Sequence, residues 1–137
     1  MFYVGKIVKE KTNLLDMPII ENEYYSYFYD SMKDTYGNTY SKVLMFEYSN
    51  NFTTFNAGRE YSYLKCTVAM KEQSKGNASL QIIVDDNIIY TSSEITNMTE
   101  PFEVDIPINQ ASKISIGTIG NSTSRVFITN AVLYNQG

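Results

Sequence analysis

The fold of this chain is decided by residues 63–92, which read YLKCTVAMKEQSKGNASLQIIVDDNIIYTS. Two apolar segments, LKCTVAM and SLQIIV, flank a polar loop, and the turn Asp85-Asp86-Asn87 leads into a third segment, IIYTS. Segments rich in β-branched and aromatic residues, separated by Asn, Asp, Gly and Ser, are typical of strands joined by hairpins and loops. The stretch therefore predicts an antiparallel β-sandwich.

Further strands are predicted on both sides of this stretch, at 2–8, 43–48, 52–55, 102–108, 113–119 and 125–133. The clearest alternation runs from Phe102 to Ile108, where apolar residues alternate with Glu103, Asp105 and Pro107. Proline donates no ladder hydrogen bond, so this strand should end at Pro107 or run along an edge. Short strands at this spacing indicate an all-β sandwich or jelly roll with little helix.

Composition is consistent with one domain spanning 1–137, because domains cluster near ~100–150 residues. Hydrophobic residues make up 43% and charged residues 19%, which is the balance of a folded globular chain. Eleven Lys and Arg residues against 15 Asp and Glu residues give a net charge of −4. A negative chain repels phosphate backbones, so we expect no nucleic-acid partner.

Neither a membrane span nor a secretion signal is predicted. The apolar runs fall short of the ~20 residues that a membrane helix needs. The run MFYVGKIV at the start is too short for a signal peptide and is followed closely by charges. Cys66 is the single cysteine, so no intramolecular disulfide is possible. We expect a cytoplasmic protein if the chain stands alone, and an extracellular one if it is cut from a longer secreted protein.

The segment 13–38 is the least regular part of the chain and the richest in aromatic residues. Tyr24, Tyr25, Tyr27, Phe28 and Tyr29 form its densest cluster, within a run that has no clean period of either kind. Such rings can cap a core, stack against sugar rings or anchor a protein interface. All three interpretations remain open at the level of sequence.

The residue types that are missing exclude much chemistry. The chain has no histidine, which rules out Ser-His-Asp and Cys-His catalysis and most zinc sites. Glu103 and Asp105 share one strand face, but that face should be solvated, so no raised pKa suited to a general acid is expected. Asp85-Asp86-Asn87 is better explained as a hairpin turn than as a calcium site. We therefore predict a non-catalytic protein with no metal and no cofactor.

Six segments carry a family resemblance, and they span most of the chain: NLLDM (13–17), GNTYSKVLMFEYS (37–49), YSYLKCTVAMKE (61–72), SLQIIVDDNIIYTS (79–92), PFEVDIPINQASKISI (101–116) and VFITNAVL (126–133). In these segments the chain resembles the NPCBM family of carbohydrate-binding modules. The resemblance implies a galactose-binding-like β-sandwich, of the kind that accompanies bacterial glycoside hydrolases and surface proteins.

The chain departs from this family at two places. The family usually has a His-Ala pair where Met45 and Phe46 stand, and an Asp-Trp element near Thr129 and Asn130. This chain has neither His nor Trp, so a sugar site at those positions is altered here. The resemblance therefore implies the fold more directly than the ligand.

Two functions follow as hypotheses. In the first, the chain is a glycan-binding module that uses Tyr36, Asn38, Tyr40 and Arg59, in loops at one end of the sandwich. In the second, it is a small protein-binding module, for instance an inhibitor-like one encoded by a phage, that docks on a larger partner protein.

Overall fold

The computed structural model describes residues 11–120 and 123–135, so the predicted strand 2–8 lies outside the described residues. The described strands are β1 (Lys11–Asn13), β2 (Ile19–Asn22), β3 (Ser26–Lys33), β4 (Thr39–Glu47), β5 (Asn51–Asn56), β6 (Tyr63–Met70), β7 (Ser79–Val84), β8 (Asn87–Thr91), β9 (Phe102–Pro107), β10 (Lys113–Ile119) and β11 (Arg125–Tyr134). A short 3₁₀ helix, Leu14–Asp16, follows β1, and the Asn13 side chain accepts a hydrogen bond from the backbone N–H of Leu15.

Two antiparallel sheets pack face to face. The front sheet has the order β3-β4-β11-β6-β9, with β1 also paired to β11, and the back sheet has the order β2-β5-β10-β7-β8. The predicted all-β antiparallel sandwich is confirmed. The stretch 63–92 contributes to both sheets, because β6 lies in the front sheet and β7 and β8 lie in the back sheet.

The turn between β7 and β8 confirms the predicted hairpin. Asp85 and Asp86 have φ angles of 47° and 70°, the left-handed conformation that the two central residues of a type I′ turn require. The Asp85 carboxylate also accepts hydrogen bonds from the backbone N–H groups of Ser112 and Lys113, at 3.0 and 2.8 Å. The turn is therefore tied to the start of β10.

The core lies between the sheets and is built by alternation along the strands. Leu64, Cys66 and Val68 of β6 face inward, where they join a single apolar cluster with Phe46 and Phe55. Burial raises the pKa of the Cys66 thiol to about 12, so this cysteine behaves as an apolar core residue.

β9 is an edge strand that ends at Pro107, as its sequence predicts. Its Val104 is buried in the core, whereas Glu103 and Asp105 are exposed on the opposite face.

The segment 13–38 is more regular than its sequence predicts, because it contains β2 and β3. Within β3 only Ser26 and Met32 are buried, and the other six residues are exposed. A strand that lies at a sheet edge and shows most of its side chains to solvent has no two-residue hydrophobic period to detect. This is why the sequence does not reveal β3.

Side chains of the β3–β4 hairpin cover part of the outer face of the front sheet, meaning the face turned away from the back sheet. Phe127 lies on that face, because its neighbours Val126 and Ile128 point into the main core. It forms a second apolar cluster with Met32, Val43, Met45, Ala69 and, at its border, Tyr40. The rest of the outer face stays open.

Gly117 in β10 lies where the neighbouring strand β5 of the back sheet comes very close. A Cβ atom at this position would clash with the backbone oxygen of Asn51 and would lie 2.7 Å from Cγ of Phe52. We expect Gly117→Ala to lower the free energy of unfolding by about 2 kcal/mol through overpacking. Urea denaturation measures the change. Gly37→Ala is the control, because a Cβ atom at Gly37 meets nothing within 4 Å. The φ of 88° at Gly37 gives this control a conformational cost of its own, without overpacking. A loss for Gly117→Ala no larger than that for Gly37→Ala would contradict the prediction.

Candidate functional site

Three of the four predicted site residues lie around Asp34, in the turn between β3 and β4. The carboxylate of Asp34 accepts hydrogen bonds from the backbone N–H groups of Tyr36 and Asn38, at 2.8 and 2.9 Å. It also accepts from the Asn38 side-chain amide at 3.1 Å and from the Tyr40 hydroxyl at 2.8 Å. The structure therefore brings Tyr36, Asn38 and Tyr40 together around one acidic residue.

Asp34 is 1% exposed, and its surroundings stabilise the charged form. Burial alone would raise the pKa of the carboxyl, but the hydrogen bonds from Asn38, Tyr40 and Tyr36 outweigh burial and lower that pKa below 3.8. The pKa of Tyr40 rises to about 12, first because the phenol is removed from water and then because it donates to Asp34. Asn38 and Tyr40 thus use polar groups to hold the turn.

Tyr36 differs from these two residues because its ring is 49% exposed. Its hydroxyl donates to the backbone oxygen of Met98 at 2.5 Å, and the backbone N–H of Thr35 donates to Met70 at 3.0 Å. These bonds fix the turn at the C-terminal end of β6. A depression of about 400 Å³ beside the turn is lined by Asp34, Thr35, Gly37, Glu72, Gln73, Ser74 and Asn97.

The structure does not bring Arg59 to the other three residues. Arg59 is exposed in the loop that precedes β6, with a φ of 60°, and its backbone N–H donates to Ala111 at 3.0 Å. The turn that holds Tyr36 lies at the opposite end of β6, next to Met70. The four predicted residues therefore do not form one site at one end of the sandwich.

A larger site lies on the open part of the front sheet's outer face. This sheet groove has a volume of about 430 Å³ and is lined by Lys11, Lys65, Thr67, Glu103, Asn130, Val132, Tyr134 and Asn135. Its side chains come from four strands, β1, β6, β9 and β11, and from the residue after β11. The groove combines an aromatic ring with amides, a hydroxyl and charges of both signs.

Tyr134 is the aromatic centre of the sheet groove. Its ring stacks on Tyr63 of the neighbouring strand, with ring centroids 5.3 Å apart and an angle of 24° between the planes. Its hydroxyl donates to the Asp105 carboxylate at 2.6 Å. That hydrogen bond, with burial as the second cause, raises the pKa of Tyr134 to about 12. The ring is therefore held in place from its face and from its hydroxyl.

The charged groups of the sheet groove are only loosely paired. The Lys65 ammonium lies 3.8 Å from the Glu103 carboxylate, and both side chains are about half exposed, at 44% and 58%. An exposed pair at this distance contributes little to stability. Both groups are therefore available to a ligand at little cost to the fold.

A bulge in β11 places an amide at the groove. The pairing of β11 with β6 shifts register between Thr129 and Val132, and Asn130 within the shift has a φ of 51°. The extra residue of a bulge redirects its side chain, and bulges are over-represented near functional sites. Asn130 is exposed and lines the groove.

Tyr63, Tyr134 and Asn130 are site residues that were not predicted from the sequence. One signal was available: Tyr63, Lys65 and Thr67 occupy the outward positions of an alternating strand, so an aromatic ring and polar groups share one face. What was missing was the pairing of β6 with β9 and β11, which brings Tyr134 and Glu103 to the same place.

Two features are absent from the described residues. Residues 11–120 and 123–135 contain no group of three or more Cys, Asp or Glu side chains arranged to hold a metal ion. Over the same residues, no helix combines the length and the apolar character that crossing a membrane requires.

Comparison with known proteins identifies the class of domain. A family model of the NPCBM/NEW2 domain matches residues 30–125, which is more than half of the chain. The chain therefore belongs to the NPCBM/NEW2 family and is a domain of the carbohydrate-binding-module type, which confirms the resemblance seen in the sequence. A search of curated proteins found no match.

Solved structures share the fold. The chain is similar to the CBM51 module of a Clostridium perfringens family 95 glycoside hydrolase, solved with methyl-galactose, with a TM-score of 0.73 and 14% identity over 90% of this chain and 99% of that one. It is similar to a structure of Clostridium perfringens ZmpB that contains the second CBM51 module, in complex with GlcNAc, and INT domains, with a TM-score of 0.75 and 11% identity. That match covers 92% of this chain and 32% of the other.

The chain is also similar to the tandem CBM51 modules of a Streptococcus pneumoniae family 98 glycoside hydrolase, with a TM-score of 0.78 and 12% identity. That match covers 95% of this chain and 48% of the other. This chain thus spans less than half the length of two of the three structures described. At these identities the likeness concerns the fold.

Proposed function

We propose that this domain is a non-catalytic glycan-binding module whose ligand lies in the sheet groove. The observation that carries the proposal is the Tyr63–Tyr134 stack beside a groove lined by amides, a hydroxyl and loosely paired charges. The family and the fold support it, because the chain belongs to the NPCBM/NEW2 family and related folds were solved with methyl-galactose and with GlcNAc.

The chemistry of the groove suits a saccharide. A sugar ring has an apolar C–H face that packs against an aromatic ring, and a rim of hydroxyls that needs hydrogen-bond partners. Tyr134 offers the ring, while Asn130 and Lys65 offer donors and Glu103 offers acceptors. Because Asp105 holds the Tyr134 hydroxyl, little side-chain entropy is lost when a ligand stacks on that ring.

The carboxylates of the groove are suited to binding rather than to catalysis. A general acid in glycoside hydrolysis needs a raised pKa, which comes from burial or from a close like charge. The Glu103 side chain is 58% exposed beside Lys65, and Asp105 accepts a hydrogen bond from Tyr134. Both side chains are exposed, so neither has the burial that a general acid needs.

Tyr134→Ala tests the proposal. We expect the wild-type domain to bind galactose- or GlcNAc-containing oligosaccharides with dissociation constants in about the millimolar to micromolar range. Alanine at position 134 should weaken binding by roughly tenfold or more, because it removes the stacking surface. Tyr134→Phe, the matched control, keeps the ring and should retain most of the affinity. A glycan array identifies the ligand, and calorimetry measures each variant.

Tyr36→Ala tests whether the ligand binds at the turn between β3 and β4 instead, because Tyr36 is the exposed residue among those predicted there. If Tyr36→Ala abolishes binding and Tyr134→Ala leaves it intact, the ligand lies at the turn and the sheet-groove assignment is wrong. If neither the array nor calorimetry detects any glycan with the wild-type domain, the proposed function itself is refuted.

A further inference from the structure

The edge formed by β3 and the turn before it exposes an unusual number of aromatic rings. Between 37% and 90% of each side chain is exposed for Tyr24, Tyr25, Tyr27, Phe28, Tyr29 and Tyr48, which together we call the β3 aromatic edge. Three ring contacts organise it: Tyr24 meets Tyr25 with centroids 6.3 Å apart, Tyr25 meets Tyr48 edge-on at 4.8 Å, and Tyr27 meets Tyr29 at 6.4 Å. Exposed aromatic side chains grouped along one edge mark a candidate interaction site.

The backbone of β3 is also open to a partner. Among the described residues β3 pairs only with β4, so one side of an eight-residue strand has no neighbouring strand. Edge strands are usually protected by prolines, charges or bulges. β9, at the other edge of the same sheet, carries Glu103, Asp105 and Pro107 within six residues. β3 has no proline, and its only charged residues are Asp30 and Lys33.

The formal negative charge of the chain lies in the part of the sequence that contains this edge, and Lys33 at the end of β3 is the one cation of that strand. Residues 12–32 contain four acidic residues and no Lys or Arg, so the rest of the chain is formally neutral. One of the four, Asp16, pairs with Lys42. The other three, Glu21, Glu23 and Asp30, are exposed. Glu21, Glu23 and Tyr24 line one depression of about 360 Å³, which links the acidic residues to the aromatic edge.

This charge distinguishes between the possible occupants of the edge. A second copy of the chain would bring the same acidic residues against Glu21, Glu23 and Asp30, and like charges across a strand pair are destabilising. A glycan has no peptide backbone that could pair as a strand with the N–H and C=O groups on the open side of β3. A basic polypeptide segment satisfies the unpaired backbone, the aromatic rings and the negative charge together.

We propose that β3 binds an extended, basic segment of another protein as an added strand of the front sheet. Alternate side chains of that segment, apolar or aromatic, pack on Tyr27 and Tyr29 on the outer face, and Lys or Arg side chains pair with Glu21, Glu23 and Asp30. This surface is separate from the sheet groove, because β3 and β9 lie at opposite edges of the front sheet.

A selection from a random dodecapeptide library displayed on phage tests this proposal with the intact domain. We expect the enriched peptides to alternate β-branched or aromatic residues with Lys or Arg. The most enriched peptide is then synthesised and titrated by calorimetry against wild type and two charge-reversal variants. Glu21→Lys/Asp30→Lys should weaken binding by about tenfold or more. Glu60→Lys/Glu100→Lys reverses the same number of exposed acids elsewhere and should leave affinity unchanged.

Hydrogen exchange separates strand addition from a general attraction of charges. In the complex, backbone amides of 26–33 should exchange more slowly, and Tyr134→Ala should leave peptide binding unchanged. The proposal is overturned if no basic sequences are enriched, if both charge reversals have equal effects, or if protection maps to the sheet groove. A concentration-dependent dimer that protects 26–33 would likewise overturn it, since the occupant would then be a second copy.

Discussion

Replacement of Asp34 by alanine is expected to lower the free energy of unfolding by about 3 kcal/mol. The carboxylate is buried and accepts hydrogen bonds from Tyr36, Asn38 and Tyr40. Alanine leaves those donors without an acceptor, and a hydrogen bond to a charged group contributes roughly 1.5–3 kcal/mol. Urea denaturation followed by circular dichroism measures the loss at neutral pH.

The stabilisation by Asp34 also depends on pH, with a defined sign. The folded-state pKa of Asp34 lies below its ordinary value of 3.8, so the folded protein holds the proton less tightly than the unfolded chain does. The contribution is therefore complete above the unfolded-state pKa, and it is lost as the pH falls below about 4 and through the folded-state pKa. The stability difference between wild type and Asp34→Ala should shrink over that range.

Two variants control for the shape and the partners of Asp34. Asp34→Asn keeps the volume of the side chain but loses its charge. It should remove the pH-dependent contribution of residue 34 to the free energy of unfolding, and it should lower that free energy less than Asp34→Ala does. Tyr40→Phe removes one donor and should cost about 1–2 kcal/mol. A stability difference between wild type and Asp34→Ala that stayed constant down to about pH 2 would show that the carboxylate is not the stabilising group.

Phe127→Ala is expected to cost about 3–5 kcal/mol of unfolding free energy. The ring is fully buried in the apolar cluster on the outer face of the front sheet, 5.6 Å from the ring of Tyr40. Alanine leaves a cavity beside Met32 and Tyr40, so the end of the hairpin loses the ring on which these two side chains pack. Amide exchange at 31–41 should therefore become faster in this variant, in addition to the loss measured with urea.

Phe55→Ala is the matched control for this effect. Phe55 is also fully buried, but it lies in the core between the two sheets. Phe55→Ala should lower the free energy of unfolding by a similar amount, without a selective increase in amide exchange at 31–41. Equal exchange of the hairpin in the two variants would show that Phe127 does not anchor it.

Much of the sandwich could be predicted from local patterns. In β6 and β9, apolar side chains alternate with polar ones, and the structure packs the apolar set into or against the core. The Asp85-Asp86 turn follows from the preference of Asp and Asn for left-handed backbone angles in hairpins. These features depend on residues within a few positions of one another.

The site could be predicted only in part. Tyr36, Asn38 and Tyr40 are close in sequence, so their proximity could be foreseen, but their attachment to Asp34 depends on how the hairpin turn closes. Arg59 was predicted as a partner because loops cluster at the ends of a sandwich. Its loop lies at the other end of β6, and the choice between the two ends depends on strand order.

The sequence by itself determined the fold class and which face of each well-patterned strand is buried, because alternation is a local property of the chain. Only the tertiary structure decided where binding surfaces lie. Tyr134 meets Asp105 across 29 positions of sequence, and it meets Tyr63 through strand pairing. The open side of β3 likewise results from its place at the end of a sheet. Register and strand order arise from the packing of the whole chain, and no short stretch of sequence specifies them.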